Sequence, residues 1–285
     1  MKINTLFGKE KTVFSFEVFP PKKDSPIESV YGKLEEICAL KPDFISVTYG
    51  AAGTTASFTT ELAEEVENCG VAALAHVTCV SSDEESLKGY LSDLKANGID
   101  NILALRGDMP QGREPKKAYA HASDIARAIL EMGDFCVGGA CYPEGHPESP
   151  SVGADIDNLK IKAESGCSFF TTQMFFDNEV MYSFLSKFQR KGINIPVIAG
   201  IMPITNAKQL KRSVSLSGTS VPRSLREIVE RFGDDANAMK QAGIAFATNQ
   251  IIDLIANGVN NIHIYAMNKP DIAAEIMKNI SYIIR

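Results

Sequence analysis

The sequence predicts an α/β protein: a single (βα)8 TIM barrel over residues 1–285, with an insertion before its last βα unit. Two observations carry this. Eight short β-rich apolar runs alternate with longer runs that repeat apolar residues every three or four positions. No Gly-x-Gly-x-x-Gly turn follows the first run, and eight βα units exceed what one open sheet needs, so a doubly wound sheet is the weaker alternative. No linker, low-complexity stretch or short repeat divides the chain.

The elements follow in order. In Val13–Val18, Phe14, Phe16 and Val18 share one face while Ser15 and Glu17 share the other. Pro20-Pro21 ends this strand, because proline has no N–H to donate. Ser25–Leu40 spaces Ile27, Val30, Leu34 and Ile37 as a helix does. Strand Phe44–Thr48 leads to helix Ser57–Asn68, capped at Ser57 or Thr59. Strand Ala72–Thr78 precedes Asp83–Asn97, a helix with an acidic first turn and an Asn97-Gly98 stop. Asn101–Leu105, Cys136–Cys141, Phe169–Gln173, Pro196–Gly200 and Asn261–Tyr265 are the later strands. Asp124–Met132, Asp155–Ser165, Glu179–Arg190 and Thr205–Val214 are the helices among them. The insertion, Ser215–Gly233, reads as a loop with a short helix before helix Asp234–Asn257.

Bulk properties exclude several functions. A net charge of −6 with mixed signs argues against a nucleic-acid binder, which needs a basic stripe. Met1–Thr5 opens no signal peptide, and no apolar run is long enough to span a membrane. Six scattered cysteines without a Cys-x-x-Cys pair suit a reducing, cytoplasmic setting.

In such a barrel, chemistry gathers at the C-terminal ends of the strands. Here those ends read Glu17; Thr48-Tyr49-Gly50; His76-Val77-Thr78-Cys79; Arg106-Gly107-Asp108; Tyr142 to His146; and Gln173. Polar groups from distant segments therefore converge on one rim, which points to a functional mouth. Each also has a plainer reading. Glu17 is either a used carboxylate or a rim ion pair. Arg106 and Asp108 could pair with each other, Gly107 could be a turn glycine, and Tyr49 and Tyr142 could be packing aromatics. His76 could be a hydrogen-bonded core histidine. His76, Cys79, Cys141 and His146 are possible zinc ligands, but their spacing matches no compact motif, and no metal is expected. No Gly-x-Ser-x-Gly elbow supports a serine hydrolase.

Together the motifs become specific. Ser15 to Lys22 (SFEVFPPK), Ser46 to Gly50 (SVTYG), Ala75 to Cys79, Ala104 to Asp108 (ALRGD), Tyr142 to Glu148 (YPEGHPE) and Thr172 to Asp177 (TQMFFD) resemble, in order, the signatures of the 5,10-methylenetetrahydrofolate reductases. The resemblance runs from about Val13 to the last helix and looks like the short bacterial form, without the regulatory domain of eukaryotic members.

It implies an FAD enzyme in which NADH or NADPH reduces the flavin and leaves, and folate then takes hydride, a ping-pong sequence. Glu17 matches the family's acid, which would protonate N10 as the folate ring opens. Asp108 would lower the flavin potential, accept pterin N–H bonds and stabilise the iminium cation. Gln173 and Lys269 would contact folate. Thr48, Tyr49, His76, Arg106, Gly107, Asp108, Ala122, Tyr142 and His146 would line the FAD site. Asp155, Asn158 and Lys162 would open the next helix and hold the FAD ribose and phosphates.

Two positions depart from the family pattern. Ala207 stands where bacterial relatives often carry a Phe that packs on the nicotinamide and folate. Lys269 follows Asn268 where an Arg is common, and lysine cannot make a bidentate carboxylate contact. These leave room for an electron-transfer protein as donor. A homo-oligomer is expected. The competing classes are a methyltransferase on a pterin-binding barrel and a non-catalytic folate-binding subunit. A zinc-dependent thiol methyltransferase would need clustered cysteines near the last strand, and Ile262–Met267 has none.

Overall fold

The computed structural model describes residues 1–8, 11–21, 25–49, 56–108 and 114–284. Lys22 and Gly50, which belong to two of the motifs above, lie outside the described residues. Eight described strands pair in parallel, each with its sequence neighbour, and the last with the first: a closed barrel. They are β1 (Val13–Val18), β2 (Phe44–Val47), β3 (Ala72–Thr78), β4 (Asn101–Leu105), β5 (Cys136–Cys141), β6 (Phe169–Thr172), β7 (Val197–Ile201) and β8 (Asn261–Ile264). Helices α1 (Glu28–Cys38), α2 (Ala56–Asn68), α3 (Glu84–Ala96), α4 (Ala122–Met132), α5 (Val152–Glu164) and α6 (Asn178–Arg190) connect the first seven strands. Three helices lie between β7 and β8: α7 (Ala207–Ser217), α8 (Arg223–Phe232) and α9 (Ala236–Ala256). After β8 comes α10 (Pro270–Ile280). Among the described residues no helix is long and apolar enough to cross a membrane.

Differences from the expected boundaries have local causes. β7 starts at Val197, not Pro196, since proline donates no N–H; Pro196 still accepts one, from Phe170 at 2.9 Å. α5 starts three residues before Asp155, because Ser151 is the cap: its Oγ accepts from Ala154 N at 3.2 Å. α7 starts at Ala207, where Asn206 Oδ1 accepts from Gln209 N at 2.8 Å, and stops at left-handed Gly218. α8 falls inside the stretch read as loop plus short helix, directly after Pro222.

Strand alternation sorts the core into two layers. Phe14, Phe16 and Val18 face outward and pack with Leu34, Ile37 and Leu62 under the helices. Val13, Phe44, Leu74, Leu103, Phe169 and Ile198 fill the lower interior. The N-terminal segment closes that floor. Ile3 is fully buried against these residues, and Phe7 packs on Phe169 with ring centroids 5.6 Å apart. Asn101, itself buried, anchors the plug: it accepts from Ile3 N at 2.8 Å and donates to Met1 O at 2.9 Å. Burying large side chains in this way supplies about 1.5–3 kcal/mol each.

Candidate active site

Above the apolar floor, the same alternating positions turn polar. Ser15 and Glu17 of β1, Ser46 of β2, His76 and Thr78 of β3 and His263 of β8 are all buried. Glu17 is only 8% exposed and is in register with Ser46. Burial pushes its carboxyl up to about 8, and the nearby Ser46 hydroxyl pulls weakly the other way. Ser46 Oγ nevertheless makes no regular hydrogen bond to a protein group. Glu17 therefore holds its proton at neutral pH.

His76 faces it, with Nε2 4.0 Å from Glu17 Oε2. That is too long for a hydrogen bond, and burial holds the imidazole down at about 3, so it is neutral. The pair is a neutral acid beside a neutral base, not a salt bridge. Deeper in, His263 Nδ1 lies 2.8 Å from Ser15 Oγ, and burial followed by its proximity to His76 holds its pKa at about 3. Tyr265 stands edge-on to His263 and donates its hydroxyl to Thr172 O at 2.6 Å. Gly200 makes this reach possible: a Cβ there would lie 2.4 Å from Thr172 O and 2.7 Å from the Tyr265 ring.

His76 Nε2, Ser46 Oγ and Thr78 Oγ1 are buried and make no regular hydrogen bond within the protein. Orphaned polar atoms are costly inside a fold unless a bound group or water satisfies them. These three lie on the adjacent strands β2 and β3, an arrangement that suits a polar ligand with several donors and acceptors.

The rim departs from its expected pairing. Arg106 grips Glu148 rather than Asp108, with Nη2 donating to Oε1 at 2.9 Å and a second, shorter contact through Nη1. Gly107 is left-handed (φ +84), and a Cβ there would lie 2.7 Å from Val80 Cγ2 and 2.8 Å from Thr78 Cβ. Its smallness lets β4 leave the barrel tight against β3. Asp108 follows, exposed. Tyr142 and His146 meet edge to face, 4.7 Å between centroids.

Asp155, Asn158 and Lys162 do not open α5 together. Asp155 lies in its first turn, accepting from His146 N at 3.2 Å and Ser149 Oγ at 3.0 Å, so it braces the preceding loop. Asn158 is exposed at mid-helix. Lys162 is in the last turn, where its Nζ donates to Ala140 O at 2.9 Å and burial lowers its pKa. Tyr49 packs toward the helices, edge-on to Tyr90 with centroids 5.9 Å apart. Thr48 continues β2, its N donating to Val18 O at 3.1 Å. Ala122 is the buried first residue of α4. Gln173 Oε1 accepts from Met174 N at 3.0 Å, and Lys269 Nζ donates to Thr205 Oγ1 at 3.3 Å. Cys79 and Cys141 sit in the helix-facing core, away from His76, and no metal-holding group of His, Cys, Asp or Glu occurs among the described residues.

Strand alternation also puts His263, Tyr265, Ser15 and Ser46 on the interior face, although the sequence expectations above give none of the four a site role. Asn268 carries no such local signal. Its amide reaches the Phe19 backbone, 249 residues away in the chain.

Comparison with known proteins adds a family. The methylenetetrahydrofolate reductase family profile matches residues 2–281. The 5,10-methylenetetrahydrofolate reductase of Escherichia coli K12 is 34% identical over 92% of this chain and 88% of its own. That of Buchnera aphidicola subsp. Schizaphis graminum is 35% identical over 94% and 91%. Methylenetetrahydrofolate reductase (NADH) 1 of Arabidopsis thaliana is 33% identical over 99% of this chain, which spans only 50% of that protein's length. Among solved structures, an uncharacterized Clostridium thermocellum protein that binds two copies of 5-methyl-5,6,7,8-tetrahydrofolic acid matches with a TM-score of 0.73 at 19% identity. The match covers 99% of this chain and 100% of that one.

Proposed function

The chain belongs to the methylenetetrahydrofolate reductase family, and on that premise we propose that it reduces 5,10-methylenetetrahydrofolate to 5-methyltetrahydrofolate. The observation that carries the mechanism is Glu17: a buried carboxyl at the top of β1 that keeps its proton at neutral pH. Opening the folate five-membered ring requires a proton on the leaving nitrogen, N10. A carboxylic acid with a pKa near the working pH is suited to give it and to take another from solvent afterwards. His76, neutral at 4.0 Å, leaves that proton on Glu17.

FAD, when bound, would supply the hydride-transfer chemistry that links a reduced nicotinamide to the folate methylene carbon. The unpartnered buried atoms of His76 and Thr78 fit such a group, and Arg106, Gly107, Asp108, Tyr142 and His146 would complete its surroundings. Thr48, just past β2, and Ala122, at the start of α4, would complete the same lining. Lys162 and Asp155 would act on it indirectly, through the Ala140 carbonyl and the His146 loop. The Asp108 carboxylate opposes the positive charge of the iminium form, and the Gln173 amide and Lys269 ammonium hold folate. The Clostridium thermocellum barrel, which binds 5-methyltetrahydrofolate, is in keeping with this substrate class.

The test is an anaerobic absorbance spectrum during addition of NADH, then NADPH, then methylenetetrahydrofolate. A flavin band that bleaches with a nicotinamide and returns with folate is the expected result. A band that persists with both nicotinamides points to a protein donor. No flavin after reconstitution with FAD overturns the reading in favour of a methyltransferase or a binding subunit.

A further inference from the structure

The acid assigned above lies at a corner of the barrel. β1 and β8 form its closing seam, and their register ends at Phe16↔Ile264. Glu17 follows directly, still in register with Ser46 on its other side. Beyond Ile264 the chain turns away from β1. Tyr265 N donates to Ile201 O at 2.9 Å, and Ala266 N folds back to Ile264 O at 2.9 Å. The seam opens where the acid sits.

Asn268 bridges the opening. Its Oδ1 accepts from Phe19 N at 2.9 Å and its Nδ2 donates to Phe19 O at 2.8 Å. One side-chain amide thus stands in for a rung of the ladder, two residues past Glu17. Met267 and Asn268 both take left-handed conformations to present it, with φ 55 and φ 54. Successive non-glycine residues in that region persist only where their surroundings hold them. A turn that merely joined β8 to α10 would be less strained with glycine. The identity of the residue is explained by the contact: only an amide both accepts and donates in this geometry, and aspartate lacks the donor.

We propose, resting on the assigned role of Glu17, that Asn268 is a positioning residue: by clamping Phe19 it holds the exit of β1 and fixes where the Glu17 carboxyl meets substrate. It touches neither substrate nor reacting atoms itself. The titratable groups facing Glu17 are His76 from β3 and Tyr265 from β8, with the Ser46 hydroxyl from β2.

Two variants test it. Asn268→Gly keeps the left-handed backbone and deletes the clamp. Asn268→Asp keeps the acceptor for Phe19 N and sets a carboxylate against Phe19 O. The first readout is the Glu17 titration midpoint, from infrared difference spectra against Glu17→Gln, which needs no turnover. The second compares the rates of flavin reduction by the donor and reoxidation by folate. In Asn268→Gly the midpoint should fall by about one pH unit as the carboxyl gains water. Reoxidation should slow about 10- to 100-fold while reduction changes less than about twofold. Asn268→Asp should slow reoxidation in the same way but by less, while its new carboxylate would itself raise the Glu17 midpoint, so only the rates of this variant are compared. Wild-type midpoint and reoxidation with only a lower melting temperature would mean a purely structural role, and would overturn the proposal. If the wild-type protein does not turn folate over, the functional reading fails. The midpoint alone then decides the clamp, upheld by a fall and overturned by none. If Asn268→Gly does not fold, Asn268→Asp decides by the rates: slowed reoxidation with unchanged reduction upholds the clamp, and wild-type reoxidation overturns it.

Discussion

The lower and upper halves of the barrel interior are built by the same strands with the same alternation, yet they follow opposite rules. Below, Val13, Phe44, Leu74, Leu103, Phe169 and Ile198 pack into a closed apolar layer plugged by Ile3. Above, Ser15, Glu17, Ser46, His76, Thr78 and His263 are nearly as buried. Three of their polar atoms, in Ser46, His76 and Thr78, make no regular hydrogen bond within the protein. Moving from Val13 to Glu17 along β1, a few residues of one strand pass from core to chemistry. The lesson is that burial alone does not mark a core in such a barrel: burial with unsatisfied polar groups marks the place reserved for something else.

Breaking the upper half should abolish chemistry and spare the fold. Glu17→Gln removes the acid, and folate reduction should fall by about 10²- to 10⁴-fold while donor oxidation continues. Steady-state assays with folate and with an artificial acceptor check both arms. Breaking the lower half should do the reverse. Phe169→Ala empties a fully buried site, with an expected cost of about 3–5 kcal/mol in denaturant unfolding. The flavin spectrum of the surviving folded protein should be unchanged.

The pH dependence of stability sharpens the contrast, because it comes from the upper half. Glu17 binds its proton more tightly folded (about 8) than at its ordinary value of 4.5. Its contribution is complete below that ordinary value and is lost as pH rises through about 8, at up to about 1.4 kcal/mol per pH unit. His76 and His263 act in the opposite sense. Their folded values of about 3 lie below the ordinary 6.5, so stability is complete above 6.5 and is lost as pH falls toward 3. Melting temperature should therefore peak near pH 6.5, where two histidines rising against one carboxyl give way to Glu17 alone, and Glu17→Gln should remove the alkaline fall and steepen the acid side between 4.5 and 6.5. The smallest effect belongs to the rim. Glu148→Gln breaks an exposed ion pair with Arg106, and the melting temperature should not move measurably.

Much of this was legible in the sequence. Alternation in β1 sets Glu17 on the face opposite Phe14, Phe16 and Val18, and the bounds of β1, β3, β4 and β5 agree with the expected ones. Side chains that act through distant partners were not legible. Nothing local tells Arg106 to choose Glu148, 42 residues on, over its neighbour Asp108. Lys162 is expected with the helix start, but it stands two residues before the end of α5, where only the fold shows that its Nζ reaches the Ala140 carbonyl on β5. Asn268 is an ordinary turn residue until the barrel closes and sets it beside Phe19. Periodicity reports which face a residue occupies; only closure of the sheet reports what it meets.

The most direct test is rapid mixing of flavin-reduced protein with methylenetetrahydrofolate from about pH 5 to about pH 10. The reoxidation rate should be level at low pH and fall above about 8, where Glu17 loses its proton, and Glu17→Gln should be slow and level throughout. A wild-type rate that does not change across that range, or a Glu17→Gln protein that matches it, would contradict the role given to the buried acid.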